Sequence, residues 1–133
     1  VQPQVVARVR CVVGRSGAHG LGVFAAEHAA EGDFVGEEVG EPISSKETDA
    51  RGRSYDAKGI SIFYSITTNV TIDAARLSNR MKFINHSIKR ANLEPKLLNV
   101  CGFIRVGLFA LHALAVGEEF FFDYGYKIPG WDE

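Results

Sequence analysis

The stretch Arg80–Ser87, RMKFINHS, sets an apolar run directly against three consecutive polar residues. Its first half would carry the chain inward, and Asn85, His86 and Ser87 then follow where the pattern predicts the interior. A buried polar group that is left unpaired costs roughly 1–3 kcal/mol. This triplet is therefore expected either to be fully hydrogen-bonded or to serve a function.

The composition predicts one globular domain of ordinary type. The chain has 133 residues, of which 46% are hydrophobic and 23% charged, and its net charge is −1. Such a balance favours neither nucleic acid nor an anionic membrane as a general partner. No apolar run approaches the length of a membrane span, so a soluble protein is expected. Cys11 and Cys101 have no metal-ligand spacing and are interpreted as buried thiols of a reducing compartment, and no metal site is expected.

Short segments punctuated by glycine-containing turns predict a mainly β domain. A helix is expected over Ser45–Arg53, because Ser44 and Glu47 have capping-box spacing. A short helical turn is expected over residues 76–83. Strands are expected over residues 5–13, 23–26, 34–39, 60–66, 70–72, 97–101, 103–110 and 118–124. Two hairpins are expected, one of 60–66 with 70–72 and one of 97–101 with 103–110.

A glycine-rich segment, GRSGAHGLG over residues 14–22, separates the first two predicted strands. Its spacing matches neither a Walker loop nor a dinucleotide fingerprint, which would need a βαβ unit. Two interpretations remain open: a plain turn, or a loop whose backbone approaches a ligand closely.

The last predicted strand is dominated by aromatic residues, FFFDYGY over residues 120–126. Strand alternation would place Phe120, Phe122 and Tyr124 on one face and Phe121 and Asp123 on the other. The segment is either a core strand with exposed tyrosines or an aromatic slot. Such a slot suits a methylene stem that ends in a cation, because ring faces attract ammonium groups.

Together these stretches resemble the SET-domain protein lysine methyltransferases. The resemblance covers nearly the whole chain, in order, and is carried by GLGVF (20–24), Gly40-Glu41, Asp73-Ala74, KFINHS (82–87) with Asn92, RVGLFA (105–110) and GEEFFFDYGY (117–126). Residues 73–76 and 121–124 look most like the Enhancer-of-zeste, or Polycomb, branch, and small stand-alone SET proteins are similar in length.

The resemblance implies a single SET domain over residues 1–133, with a post-SET-like tail at about 126–133. It implies a mainly β (β-clip) fold of small sheets, with one or two short helices and a C-terminal pseudoknot that Ser87 helps to pin. It also implies S-adenosylmethionine as cofactor, S-adenosylhomocysteine as its product, and no metal. The implied cofactor-binding residues are Gly20, Leu21, Gly22, Asn85, His86 and Tyr124. Trp131 either binds the cofactor as well, by stacking on its adenine, or belongs to a solvent-exposed tail. Tyr124 is the implied catalytic residue, and the implied lysine channel is formed by Tyr64, Ala74, Phe122, Tyr126 and Glu38.

The chain departs from the family pattern around this channel. Glu38 and Lys58 stand where members usually carry tyrosine, and Leu21 stands where tryptophan or tyrosine is common. Glu38 either holds the incoming ammonium group or faces solvent. Phe122, where a tyrosine would narrow the channel, leaves room for more than one methyl group.

The implied substrate is a histone H3 tail, with the Polycomb repressive lysine favoured, and the implied location is the nucleus. Accessory chains or a homodimer are expected partners, whereas no nucleic-acid site or membrane contact is. A viral or secreted origin stays open. Two alternatives also remain: a non-catalytic SET-fold module that binds a peptide or cofactor, and a methyltransferase of a non-histone protein.

Overall fold

The computed structural model describes residues 8–58, 63–65, 70–73, 79–100 and 103–125. The fold is mainly β, as predicted, with one α-helix and one 3-10 turn in these ranges. No helix in the described ranges is long and apolar enough to cross a membrane. The elements are β1 Cys11–Arg15, β2 Leu21–Ala25, β3 Phe34–Glu38, β4 Glu41–Ser44, α1 Ser45–Lys58, β5 Phe63–Ser65, β6 Val70–Asp73, the 3-10 turn Arg80–Phe83, β7 Asn85–His86, β8 Leu93–Val100, β9 Phe103–Ala110 and β10 Phe121–Phe122.

The described strands form four small sheets, ordered β1-β2, β10-β7, β3-β9-β8 and β4-β6-β5. Both predicted hairpins are confirmed, since β5 pairs antiparallel with β6 and β8 with β9. The apolar faces of the sheets meet in one core, whose most deeply buried members include Val23, Val35, Ile84, Leu93, Leu108 and Phe120.

Helix α1 begins at the predicted place. The Glu47 backbone N–H donates to the Ser44 hydroxyl at 3.2 Å, so Ser44 acts as the N-cap. The helix continues to Lys58 instead of ending at Arg53. Strand β1 begins only at Cys11, and residues 1–7 lie outside the described ranges.

The C-terminal strand differs from its prediction. Regular pairing is confined to Phe121–Phe122, which runs parallel to β7. The segment just before it runs beside β2, where the Phe120 N–H donates to the Val23 carbonyl at 2.8 Å. Phe120 and Phe122 lie in the core with Tyr124 packed against it, as the predicted alternation of faces requires, and Phe121 on the other face is buried as well.

Asn92 holds the crossing between this last segment and the chain that follows β7. Its side chain is buried, its Oδ1 accepts the Phe121 N–H at 2.8 Å, and its Nδ2 donates to the Glu119 carbonyl at 2.7 Å. The Asn92 backbone N–H donates to the Phe121 carbonyl at 2.9 Å. Ser87 contributes the bond from its backbone N–H to the Phe122 carbonyl, at 3.2 Å. Ser87 therefore contributes to the crossing through its backbone, and the buried Asn92 side chain adds bonds that the sequence did not predict.

The expectation that the polar triplet is buried is wrong. Asn85 and Ser87 are half-buried, and the His86 side chain is 44% exposed. The buried polar residues among those described are instead Thr71, Asp73 and Asn92. The chain turns outward after Ile84, which is the last core residue of the apolar run.

A guanidinium group joins α1 to the sheet β4-β6-β5. Arg51 donates to Glu41 at 2.7 Å, to Asp73 at 2.8 Å and to Glu47 at 2.8 Å. The hydrogen bonds to Glu41, Asp73 and Glu47, in that order of effect, raise the pKa of the guanidinium above its already high value. Asp73 is fully buried, so Arg51 is the counter-charge for a carboxylate inside the fold.

Substituting Arg51→Met is expected to lower the melting temperature by on the order of 10 °C. The change removes the guanidinium from the buried Asp73 carboxylate while keeping much of the side-chain volume. Arg53→Met is the matched control, because Arg53 is exposed on the same helix. Differential scanning calorimetry of both variants checks this, and equal melting temperatures would show that the Arg51 cluster contributes no stability.

Candidate active site

The glycine-rich segment forms the exposed connection between β1 and β2. Its ends are closed by a bond from the Ser16 N–H to the Gly20 carbonyl at 2.8 Å. The Ser16 hydroxyl accepts from the Ala18 N–H at 2.9 Å and the His19 N–H at 3.2 Å. Gly20 has a φ of +50°, a left-handed value that favours glycine. The loop is thus shaped by its own hydrogen bonds.

Asn85 ties this loop to β7. Its Nδ2 donates to the His19 carbonyl at 3.0 Å and to the Leu21 carbonyl at 3.0 Å. A third acceptor of the same group is the Glu119 carboxylate, at 3.2 Å. Because all three partners are acceptors, the amide NH2 must face the loop, and the Oδ1 atom is turned away from it. The side chain therefore offers an acceptor oxygen beside the loop.

Glu119 completes the polar network. Its Oε2 accepts from the Ser16 hydroxyl at 2.7 Å and from Asn85. A Cβ built on Gly22 would overlap this carboxylate, so a residue with a side chain at that position would displace Glu119. Sequence reasoning missed Ser16 and Glu119, because nothing in their spacing, 103 residues apart, indicates contact.

Tyr124 is held at both ends by the stretch that follows the 3-10 turn. Its backbone N–H donates to His86 Nδ1 at 3.0 Å, and its hydroxyl donates to the Ile84 carbonyl. Its ring centroid lies 5.2 Å from that of His86 and 5.0 Å from that of Phe122. Since His86 Nδ1 accepts a bond, the proton of the neutral ring lies on Nε2. Asp123 Oδ1 lies 4.0 Å from His86 Nδ1.

The structure brings several of the predicted site residues into one neighbourhood. Direct contacts connect Leu21 to Asn85, and link His86, Tyr124 and Phe122 to one another. Gly20 is the last residue of the loop before β2, and Gly22 follows Leu21 within β2. Phe122 is buried, whereas Leu21 is half-exposed at the rim.

The other predicted residues lie partly or wholly outside the described chain. Ala74, Tyr126 and Trp131 fall in ranges that the structure does not describe. Glu38 and Tyr64 are placed by backbone only, at the end of β3 and within β5. Their assignments, and the two open interpretations of Glu38, stay predictions.

The chemistry of this neighbourhood suits a cationic, amino-acid-like ligand. Acceptor oxygens of the Asn85 side chain and of exposed loop backbone match an ammonium group. The clustered ring faces of Phe122 and Tyr124 match a methylated cation. Among the described residues, no group of three or more His, Cys, Asp and Glu side chains is placed to hold a metal ion. Cys11 lies apart from these contacts, and burial raises the pKa of its thiol.

Comparisons with known proteins identify relatives of this chain. The family model described as the SET domain matches residues 20–125. Over 125 residues the chain is 38% identical to histone-lysine N-methyltransferase CLF of Oryza sativa subsp. japonica, covering 92% of this chain. This relative is of the Enhancer-of-zeste branch, which is the branch that the sequence was found to resemble.

Solved structures give the same result. The Chaetomium thermophilum Polycomb Repressive Complex 2 bound to GSK126 matches 93% of this chain at 36% identity and a TM-score of 0.76. A structure described as ctPRC2 in an autoinhibited conformation bound to S-adenosylmethionine matches 93% at 33% identity and a TM-score of 0.72. The chain spans only 14% of the CLF sequence and 17% and 16% of the two structural relatives.

Proposed function

This chain belongs to the SET-domain family, and from that premise we propose that it is an S-adenosylmethionine-dependent protein lysine N-methyltransferase. The observation that carries the proposal is the position of Tyr124, which is bonded to Ile84 and His86 beside the Asn85-anchored glycine loop. One relative named a histone-lysine N-methyltransferase, and one relative bound to S-adenosylmethionine, support the same chemistry.

The residues present fit this cofactor. Asn85 Oδ1 would accept from its ammonium group, and the exposed backbone of Gly20 and Leu21, followed by the buried Gly22, lies beside Asn85. When bound, the cofactor supplies an electrophilic methyl group on a sulfonium centre. The protein has no need to activate that group by acid or base chemistry, so its task is alignment.

The chain's own residues perform this alignment. The Tyr124 hydroxyl and the Ile84 carbonyl form a polar edge beside the Phe122 ring, where weak C–H···O contacts can hold a methyl group. The buried ring of Phe122 excludes water next to it. Such an apolar wall disfavours a charged amine and so lowers the pKa of the substrate lysine, which must be neutral to attack. Holding the reacting atoms in line supplies much of the rate.

The proposed substrate is a lysine of the histone H3 tail, with the Polycomb repressive lysine favoured. The support is the name of the CLF relative and the Polycomb Repressive Complex 2 match. We propose accordingly that the chain acts on chromatin in the nucleus. Because the matched relatives are much longer and one is part of a complex, accessory chains are proposed as partners.

Two measurements on the isolated 133-residue chain test this function. Titration calorimetry with S-adenosylhomocysteine is expected to show one site, and radiolabelled cofactor is expected to label H3 among mixed core histones. If the cofactor binds but no methyl group is transferred, either by the isolated chain or after accessory chains are added, the non-catalytic alternative is favoured. Labelling of a non-histone lysate protein but not of H3 would favour the alternative substrate.

Substituting Phe122→Tyr is expected to shift products toward monomethyllysine. Phe122 packs 5.0 Å from the Tyr124 ring, so an added hydroxyl narrows the space available to a methylated amine. Mass spectrometry of peptide products, at equal substrate turnover, checks this. Phe83→Tyr is the control, since Phe83 is half-buried at the end of the 3-10 turn. An unchanged product distribution in Phe122→Tyr would contradict this prediction.

A further inference from the structure

We propose that Glu119 is a positioning residue that holds the glycine loop, through Ser16, in place against the Asn85 carboxamide, and thereby sets the affinity for the cofactor. This inference rests on the proposed function of the same site. Glu119 touches neither reacting group and acts through Asn85 and Ser16.

The backbone of Glu119 is held in place independently of its side chain. Its carbonyl accepts from Asn92 Nδ2 at 2.7 Å, and the residue forms an antiparallel bridge with Phe24 of β2. Its carboxylate therefore starts from a rigid point, the crossing of the last segment over the chain. The Glu119 side chain therefore connects the site to that crossing.

The chemistry of the carboxylate decides how the network is arranged. An ionised carboxylate only accepts hydrogen bonds, so both groups that reach its Oε2 must donate. The Ser16 hydroxyl hydrogen points toward Glu119, which leaves the Ser16 oxygen free to accept from the Ala18 and His19 amides. The Asn85 NH2 likewise faces Glu119, so its Oδ1 is presented on the other side.

With glutamine in place of Glu119, the groups that reach this side chain would no longer be forced to donate. The glutamine amide both donates and accepts, so the Ser16 hydroxyl could turn to accept from it and release the Ala18 and His19 amides. The His19 and Leu21 carbonyls that hold the Asn85 NH2 would then shift with the loop, and an ammonium group at Asn85 Oδ1 would lose a charge-assisted hydrogen bond. The expected effect on cofactor affinity is about tenfold or more.

The neighbouring carboxylate shows that this role belongs to Glu119 specifically. Glu118 accepts from Asn92 Nδ2 at 3.2 Å and from the Ala115 N–H at 3.2 Å. Its described bonds go to the crossing and the preceding turn, and none goes to the glycine loop. Two adjacent carboxylates thus serve different parts of the fold.

The test compares Glu119→Gln with the wild-type chain in two measurements. Titration calorimetry with S-adenosylhomocysteine is expected to give a dissociation constant raised about tenfold or more. Hydrogen exchange of the cofactor-free chain is expected to show faster exchange at the Ala18 and His19 amides, by on the order of tenfold. Glu94→Gln is the matched control, because Glu94 makes an ion pair with Lys96 at 3.6 Å on β8, and it should leave both readouts unchanged.

Each outcome decides between the claims. Wild-type affinity in a folded Glu119→Gln variant overturns the inference, even if loop exchange changes, because the effect would then be structural only. If that variant does not fold, Ser16→Ala decides: several-fold weaker binding with faster loop exchange supports the inference, and wild-type values overturn it. Failure of the wild-type chain itself to bind S-adenosylhomocysteine rejects the proposed function and the inference with it.

Discussion

Substituting Tyr124→Phe is expected to slow methyl transfer by roughly a hundredfold or more while cofactor affinity stays within a few-fold of wild type. The change deletes only the hydroxyl that donates to the Ile84 carbonyl. The ring contacts with His86 and Phe122, and the backbone bond to His86 Nδ1, need no hydroxyl. Losing the polar anchor lets the ring shift, and misplacement by about 1 Å costs a rate of this size.

Single-turnover transfer from radiolabelled cofactor measures the first quantity, and calorimetry with S-adenosylhomocysteine measures the second. A melting curve serves as the control for folding, because one lost hydrogen bond should change stability by only about 1 kcal/mol. Transfer at the wild-type rate would show that the Tyr124 hydroxyl has no part in the chemistry.

The second large effect is expected in stability: Asn92→Ala should lower the free energy of unfolding by about 3 kcal/mol. The substitution removes the acceptor of the Phe121 N–H and the donor to the Glu119 carbonyl, at a position only 3% exposed. Each buried group that loses its partner costs roughly 1–3 kcal/mol. Since these bonds hold the crossing from which β10 leads to Tyr124, activity should fall as well.

Urea denaturation followed by circular dichroism gives the free energy, and Asn79→Ala is the matched control. Asn79 also donates through Nδ2 to a carbonyl, that of Glu37, and accepts a backbone N–H through Oδ1, that of Met81. It is only half-buried, so water can replace its bonds and the expected loss is about 1 kcal/mol. Equal losses in the two variants would contradict the assignment of Asn92 as the pin of the crossing.

Local patterns predicted the secondary structure that local chemistry decides. The capping box at Ser44 located the start of α1, and apolar runs on either side of a turn located both hairpins. The predicted extent of the last strand was wrong because its pairing is not local. Phe121–Phe122 pairs in parallel with a segment far earlier in the chain, and no local pattern identifies that partner.

The candidate site was predictable only where family motifs contain its residues. The Asn-His-Ser and Asp-Tyr motifs led to Asn85, His86 and Tyr124, which the structure places in direct or neighbouring contact. The supporting residues were missed because each contact joins distant segments. Examples are the contacts of Glu119 with Ser16 and of Arg51 with Asp73. No periodicity records such pairs.

The most direct test of the central claim is mass spectrometry of histone H3 tail peptides incubated with S-adenosylmethionine and the wild-type or Tyr124→Phe chain. The proposed function predicts added methyl groups at one lysine, with the Polycomb repressive lysine favoured, and almost none with the variant. Wild-type chain that binds the cofactor but methylates no histone peptide, alone or with accessory chains, would contradict it.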